Sequence, residues 1–124
     1  MALSMCRTLR KAHMQRGDVY YANLDPSQGA ETQKTRPVVI ISNNAANHAS
    51  ALVTVLPVTS NVTRIYPFEV KLPAKDTGLG KDSKAMAQQI RTLDKRRLGL
   101  HVEGQVPGAL MVKIDAALRL HLAL

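Results

Sequence analysis

Short apolar segments alternate with polar and turn-forming residues along most of the chain, a pattern typical of small β-rich domains. The clearest alternation covers residues 66–72, where aromatic and aliphatic side chains take the even positions while Glu69 and Lys71 face the opposite way. The other predicted strands cover residues 18–24, 37–41, 52–58, 84–87, 89–93 and 100–106. Residues 43–50 are predicted as a short helix or loop, and residues 95–97 as a turn or single helical turn.

The last segment has the period of a helix rather than of a strand. After Pro107 and Gly108, apolar residues recur every four positions and therefore share one helical face. They are Leu110, Ile114, Leu118 and Leu122, with Ala117 and His121 beside them. Many short strands followed by one helix favour an α+β fold, built on a small, strongly bent sheet or open barrel.

Size and cysteine content narrow the class of protein. A chain of 124 residues accommodates one domain, and its longest apolar runs are only a few residues, so no membrane-spanning segment is predicted. Cys6 is the only cysteine, which excludes an intramolecular disulfide and favours a reducing cytoplasm.

The chain is strongly basic, with 17 Lys and Arg against 9 Asp and Glu and a net charge of +8. A positive field attracts polyanions, which include nucleic acids, acidic proteins and anionic membrane surfaces. Residues 1–13 contain Arg7, Arg10 and Lys11 but no acid. We expect them to form a mobile, dispensable extension before a single domain at residues 14–124. A basic nucleic-acid-binding arm and a natural start at Met14 are the alternatives.

Common catalytic signatures are missing from the sequence. It contains no Gly-rich phosphate loop, no His-x-x-x-His pair and no Asp-x-Asp cluster, so neither a cofactor nor a metal is predicted. An enzyme with this sequence would therefore depend on arginine, hydroxyl and amide groups.

Arg36 is the most specific candidate, because it follows a polar loop and directly precedes an apolar strand. A guanidinium held in this way suits a phosphate, to which its planar fork donates two parallel hydrogen bonds. Thr59, Ser60 and Asn61 end another apolar strand and add two hydroxyls and an amide. Local sequence alone is equally compatible with a structural ion pair at Arg36 and a plain turn at residues 59–61.

The order of motifs along residues 14–122 resembles the MazF/PemK toxin family. The motifs are Arg16-Gly17-Asp18-Val19-Tyr20, Leu24-Asp25-Pro26, Gly29-x-Glu31, Thr35-Arg36-Pro37-Val38-Val39-Ile40, Pro57-Val58-Thr59-Ser60, Tyr66-Pro67-Phe68-Glu69-Val70 and Gln89-Ile90-Arg91-Thr92-Leu93-Asp94-Lys95. The resemblance implies an SH3-like antiparallel β-barrel of the CcdB/PemK type, with a C-terminal helix. It also implies a cytoplasmic homodimer that an acidic, MazE-like antitoxin neutralises.

The activity implied by the resemblance is sequence-selective cleavage of single-stranded RNA without a metal or cofactor. The substrate's 2′-OH would attack the phosphodiester, leaving a 2′,3′-cyclic or 3′-phosphate and a 5′-OH. Arg36 and Thr59 match the family's catalytic arginine and its hydroxyl partner. Some members carry an Arg-x-Asp pair where this chain has Met86 and Gln88, so that acid–base arrangement is missing.

RNA recognition is expected to depend on hydrogen bonds, because the four aromatic residues are mostly predicted as sheet core. The candidate RNA-binding residues are Glu31, Gln33, Lys34, Ser60, Gln88 and Gln89, with Lys84 as a further phosphate contact. A solvated surface is the alternative for each. Two other functions stay open: a CcdB-like toxin that binds DNA gyrase, and a non-catalytic basic module for an acidic tail.

Overall fold

A computed structural model describes residues 14–31 and 34–124 of the chain. Within those ranges, seven strands and three α-helices follow one another. The strands are β1 (Asp18–Asn23), β2 (Thr35–Ile40), β3 (Leu52–Thr59), β4 (Glu69–Leu72), β5 (Ser83–Met86), β6 (Arg91–Asp94) and β7 (Gly104–Gln105). The helices are α1 (Asn44–Ala49), α2 (Ala74–Thr77) and α3 (Gly108–Leu122), and single 3-10 turns lie at Ala87–Gln89 and Lys95–Arg97.

The strands form one antiparallel sheet that curls on itself. Its order is β4-β5-β3-β2-β1-β7, and β6 also pairs with β3. β3 is long enough to serve two partners along one edge, since its first half pairs with β6 and its last residues with β5. A bridge between Ala22 and Leu98 closes the curl, and the Glu103 N–H donates to the Val19 carbonyl at 2.7 Å. The expected small, strongly bent sheet with a C-terminal helix is confirmed.

The curled sheet buries side chains on both of its faces. One face forms the barrel core: Met14, Tyr20, Ala22, Leu24, Val38, Ile40, Val53, Val55, Leu93 and Leu98. The other face packs under α3 and forms the helix core: Val19, Val39, Leu56, Val58, Val70, Leu72, Ala85, Ala87, Val106, Met111, Ile114 and Ala117. Because neighbours in a strand point to opposite faces, β2 needs apolar residues at every position from Val38 to Ile40.

Some element boundaries differ from the predictions. The strand expected at residues 100–106 is limited to Gly104–Gln105, and the strand expected from residue 66 begins only at Glu69. α2 lies in a segment without a predicted helix. Met111 occupies the buried face of α3, whereas His121 and Leu122, expected on the packed face, are exposed.

The aromatic residues also differ from expectation, because only Tyr20 lies fully in the core. Tyr21 and Tyr66 are 45% and 42% exposed. None of the helices in the described ranges is long and apolar enough to cross a bilayer. The basic extension at residues 1–13 lies outside the described residues.

Candidate active site

Arg36 and Thr59 come together at the edge of the barrel. The ladder between β2 and β3 ends towards Arg36 with the pair Val38 and Pro57. Continued by two residues, the same register places Arg36 opposite Thr59. Thr59 in turn pairs with Lys84 of β5. Opposed residues share a face of the sheet, and those in a paired ladder, such as Thr59 and Lys84, have Cβ atoms about 5 Å apart. The cross-strand row Arg36–Thr59–Lys84 therefore lines up a guanidinium, a hydroxyl and an ammonium group.

The cross-strand row borders an open cavity of about 500 Å³, here called the Arg36 cavity. Its lining residues are Ala30, Glu31, Lys34, Arg36, Thr59, Asn61, Lys84 and Met86. Three of them are cationic and one is anionic, so the lining is net positive. Val38, two residues along β2 from Arg36, belongs to the barrel core, which means that the cavity continues the barrel interior outwards.

The loop between β1 and β2 is fixed at its base by Asp25. The Asp25 carboxylate accepts a 3.0 Å hydrogen bond from the Lys34 N–H, while the Leu24 N–H donates to the Lys34 carbonyl at 3.1 Å. These bonds hold Lys34 at a φ of 69°, in the left-handed region. Its exposed ammonium side chain is thereby directed along the wall of the Arg36 cavity.

The same loop is anchored near Glu31. The Gln89 amide donates to the Ala30 carbonyl at 3.2 Å, which ties the loop to the 3-10 turn after β5. The Glu31 carboxylate accepts from the Gln28 N–H at 2.6 Å and remains exposed at the cavity. Gln33, predicted to bind RNA, lies outside the described residues.

The Thr59 hydroxyl retains a proton for a ligand. Its Oγ1 accepts a 3.2 Å hydrogen bond from the Asn61 N–H, an interaction that uses a lone pair and orients the side chain. A hydroxyl has one donor and two acceptor positions, so the O–H can donate to a phosphate oxygen. Arg36 and Thr59 are both half-buried, a position in which charge interactions are stronger than in bulk water.

Glu69 organises a buried network beside this row. Its Oε1 accepts from Lys84 Nζ at 2.8 Å and from the Tyr66 N–H at 3.0 Å, and its Oε2 accepts from the Gln88 amide at 2.7 Å. Burial raises the pKa of Glu69, but the hydrogen bonds from Lys84, Tyr66 and Gln88 together outweigh it and leave the pKa below its ordinary value. The Gln88 amide oxygen is buried and has no hydrogen-bond partner in the described part of the chain.

Ser60 lies on the other face of the sheet. It follows Val58 of the helix core by two residues, so it shares that strand face. There it lines a second cavity of about 440 Å³, the Tyr21 cavity, which shares Lys34 and Arg36 with the first. The structure thus distributes the predicted residues over two adjoining cavities.

The predicted site residues are placed as follows. Arg36, Thr59, Glu31 and Lys34 meet at the Arg36 cavity, Ser60 lies at the Tyr21 cavity, and Gln88 and Gln89 make internal hydrogen bonds. Asn61, whose amide was noted in the sequence but not included among the candidate RNA-binding residues, lines the cavity. Glu69, expected on the face opposite the apolar residues of its strand, is only 7% exposed. The alternation along β4 could not predict the burial of Glu69, because the burial depends on an ion pair with Lys84 of a different strand, β5. Within residues 14–31 and 34–124, no three His, Cys, Asp or Glu side chains cluster so that they could hold a metal ion.

The chain matches a family model over residues 15–122, described as PemK-like, MazF-like toxin of type II toxin-antitoxin system. It is 44% identical to endoribonuclease MazF9 of Mycobacterium tuberculosis, with 90% of this chain and 98% of the relative covered. It is 38% identical to endoribonuclease EndoA of Bacillus subtilis, with 90% and 96% covered.

Solved structures show the same fold. A crystal structure of MazF from Deinococcus radiodurans superposes with a TM-score of 0.77 at 30% identity and covers 90% of this chain and 97% of that one. A mycobacterial endoribonuclease in complex with its cognate antitoxin gives a TM-score of 0.74 at 32% identity, with 90% and 96% covered.

Proposed function

Since the chain belongs to the PemK-like, MazF-like family of type II toxin–antitoxin toxins, we propose that it inhibits growth by sequence-selective cleavage of single-stranded RNA. The observation that carries this proposal is that Arg36 and Thr59 line the same cationic cavity. Relatives named endoribonuclease, with near-complete coverage, support the enzymatic assignment.

The proposed reaction needs no metal. The RNA 2′-OH loses its proton as its oxygen bonds to phosphorus, and the bond from phosphorus to the 5′-oxygen breaks. The departing 5′-oxygen takes up a proton, so that a 2′,3′-cyclic phosphate and a 5′-OH result. Negative charge grows on the nonbridging oxygens during this displacement, and a preorganised cation stabilises it. Arg36 supplies that cation, because a guanidinium stays charged at every working pH. Thr59 donates its O–H to one of the same oxygens.

The loop between β1 and β2 is the proposed RNA-reading element. Lys34 contacts a neighbouring phosphate, while Glu31 and Gln33 bond to base edges. Ser60, which lines the Tyr21 cavity, contacts the part of the RNA chain that extends beyond Arg36. Gln88 and Gln89 contribute through the groups they hold in place, Glu69 and the Ala30 carbonyl.

The proposed partner is an acidic, MazE-like antitoxin, in keeping with related structures described as MazE-MazF complexes. A net charge of +8 favours an acidic chain on electrostatic grounds. We also propose that the toxin is a cytoplasmic homodimer, and sedimentation at micromolar concentration tests the dimer. A stable monomer would overturn that part of the proposal.

The comparisons do not favour the alternative of a CcdB-like toxin that binds gyrase, because the close relatives are named endoribonucleases. The non-catalytic basic module would leave the placement of a guanidinium and a hydroxyl on one cavity lining without a role.

The deciding experiment incubates the protein and its Arg36→Ala variant with long single-stranded RNA in EDTA and maps the fragment ends. We expect discrete cuts by the wild type only, with 5′-OH and 2′,3′-cyclic or 3′-phosphate ends. An intact, diverse RNA pool after treatment with the wild type would overturn the proposed function. An unfolded Arg36→Ala variant would instead return Arg36 to a structural role, with Thr59→Val then testing the site.

A further inference from the structure

Lys84 is a lysine in an unusual environment. The residue is only 8% exposed, although lysine is almost never fully buried without a partner. It pairs with Thr59 across β3 and β5, and it also lines the Arg36 cavity. A buried cation therefore adjoins the proposed catalytic hydroxyl.

The ammonium group of Lys84 is held from the side of β4 and its preceding loop. Nζ donates to Glu69 Oε1 at 2.8 Å and to the Arg64 carbonyl at 2.6 Å. It also lies 5.9 Å from the centroid of the Tyr66 ring. An ammonium has three N–H donors, so these two hydrogen bonds leave one N–H unused in a residue that lines the Arg36 cavity.

We propose that Lys84 is a second phosphate-binding cation of the RNA site, and that Glu69 is the residue that positions it. The proposal rests on the proposed function and adds a contact to it. Lys84 would donate its remaining N–H to a nonbridging oxygen of the phosphate that Arg36 binds. Glu69 fixes the ammonium at the end of the cross-strand row, which reduces the entropy lost when RNA binds.

A purely structural role for the Glu69–Lys84 ion pair explains the buried lysine less well than phosphate binding does. Glu69 already receives hydrogen bonds from the Tyr66 N–H and the Gln88 amide, and buried ion pairs are often replaceable by apolar residues without loss of stability.

Two variants isolate the cation. Lys84→Met alone would leave the Glu69 carboxylate buried without its cation, which destabilises a fold. We therefore compare Glu69→Gln, which keeps Lys84, with the double variant Glu69→Gln/Lys84→Met, which has no buried charge. In both, Gln88 can turn its amide so that its unpartnered oxygen accepts from Gln at position 69. The control is Lys75→Met, which removes an equal charge from an exposed residue of α2.

Two measurements are made on each folded variant. The first is kcat/KM for a cleavable RNA, and the second is the salt dependence of Kd for the same RNA carrying 2′-O-methyl groups. We expect Glu69→Gln to keep at least a tenth of the wild-type kcat/KM, and the double variant to fall a further 10- to 100-fold, about the worth of one charge-assisted hydrogen bond. The salt slope should decrease by about 0.7, the value for one single-strand phosphate contact.

The outcomes separate the two proposals. A double variant equal to Glu69→Gln in both measurements would make Lys84 a structural residue. An equal decrease of the salt slope in Lys75→Met would show that the effect is one of general surface charge, and would overturn the proposed Lys84–phosphate contact. A wild type that does not cleave RNA would overturn the proposed function. The salt dependence of Kd, compared between Glu69→Gln and the double variant, would still decide whether Lys84 binds a phosphate.

Discussion

Arg36 and Thr59 line one cavity, where the register of β2 and β3, continued past its last pair of Val38 and Pro57, places them opposite each other. Arg36 pairs with Ala22 of β1 and Thr59 pairs with Lys84 of β5, so the backbone of each residue is held by a neighbouring strand. A guanidinium and a hydroxyl fixed in this way can contact the same phosphate without rearranging. Such preorganisation makes electrostatic stabilisation effective in catalysis.

Replacing Arg36 by lysine tests whether the fork of the guanidinium matters beyond its charge. Lysine keeps the charge but cannot donate two parallel hydrogen bonds to a phosphate. We expect Arg36→Lys to lose about 10²-fold in kcat and Arg36→Ala about 10²–10³-fold or more, measured by single-turnover cleavage. Arg119→Ala, an exposed arginine on α3, is the control. Equal activity of Arg36→Lys and the wild type would argue for a simple point charge.

Thr59 offers a near-isosteric test of its hydroxyl. Thr59→Val removes the O–H, whereas Thr59→Ser keeps it. We expect Thr59→Val to reduce kcat by roughly 10- to 100-fold, since a hydrogen bond to a charged group contributes about 1.5–3 kcal/mol. Thr59→Ser should remain within a few-fold of the wild type. Loss of activity in both variants would assign Thr59 to packing rather than to phosphate contact.

The hydrogen bond from Gln89 to the Ala30 carbonyl predicts that a substitution at Gln89 changes the mobility of the loop between β1 and β2. Gln89→Leu should release the loop between β1 and β2 and raise KM more than it lowers kcat. Hydrogen exchange at the Glu31 amide, which donates to the Gln28 carbonyl at 3.1 Å, reports the loop directly and should speed up. Gln105→Leu, which removes a bond to Asp18 instead, should leave that exchange rate unchanged.

The lowered pKa of Glu69 gives a pH dependence of stability. The unfolded chain has a glutamate pKa of about 4.3, so the folded state binds the Glu69 proton only at lower pH. This stabilisation is therefore fully present above the unfolded value and is lost as the pH falls through the folded value. The free energy of unfolding of the wild type should exceed that of Glu69→Gln by about 1–3 kcal/mol at pH 7.

Urea titrations from pH 7 down to pH 3 measure the Glu69 effect. The difference between the wild type and Glu69→Gln should shrink below about pH 4.3 and should not change sign at neutral pH. Glu103→Gln, an exposed glutamate outside this network, provides the control. A constant difference across the whole range would show that the carboxylate charge contributes nothing.

Gly104 is required by close packing. A Cβ at this position would lie 2.6 Å from the Thr77 carbonyl oxygen, so β7 or α2 would have to move. We expect Gly104→Ala to lower the free energy of unfolding by about 1–3 kcal/mol. Gly80→Ala, whose Cβ would meet no atom within 4 Å, should be neutral or slightly stabilising. Chemical denaturation of both variants decides between this packing effect and a general intolerance of alanine.

Much of the fold could be predicted from local pattern. The apolar run before Ile41 marks β2, and the four-residue spacing after Gly108 marks α3. The strand prediction was wrong where an apolar segment has no neighbouring strand to pair with. Of the last predicted strand, only Gly104–Gln105 pairs with β1, so the rest of that segment does not form a strand. Tyr66 follows the alternation of β4 but precedes the strand itself, and its ring therefore remains exposed.

The sequence by itself determined the fold class, the basic charge and the family, because these depend on local periodicity, composition and the order of motifs. Only the tertiary structure decided which residues share a cavity. Arg36, Thr59 and Lys84 come from three strands, and strand register, which depends on burial of both sheet faces, brings them into one row. The burial of Glu69 was decided in the same way, since its stabilising partners, Lys84 and Gln88, reach it only once β4 has paired with β5.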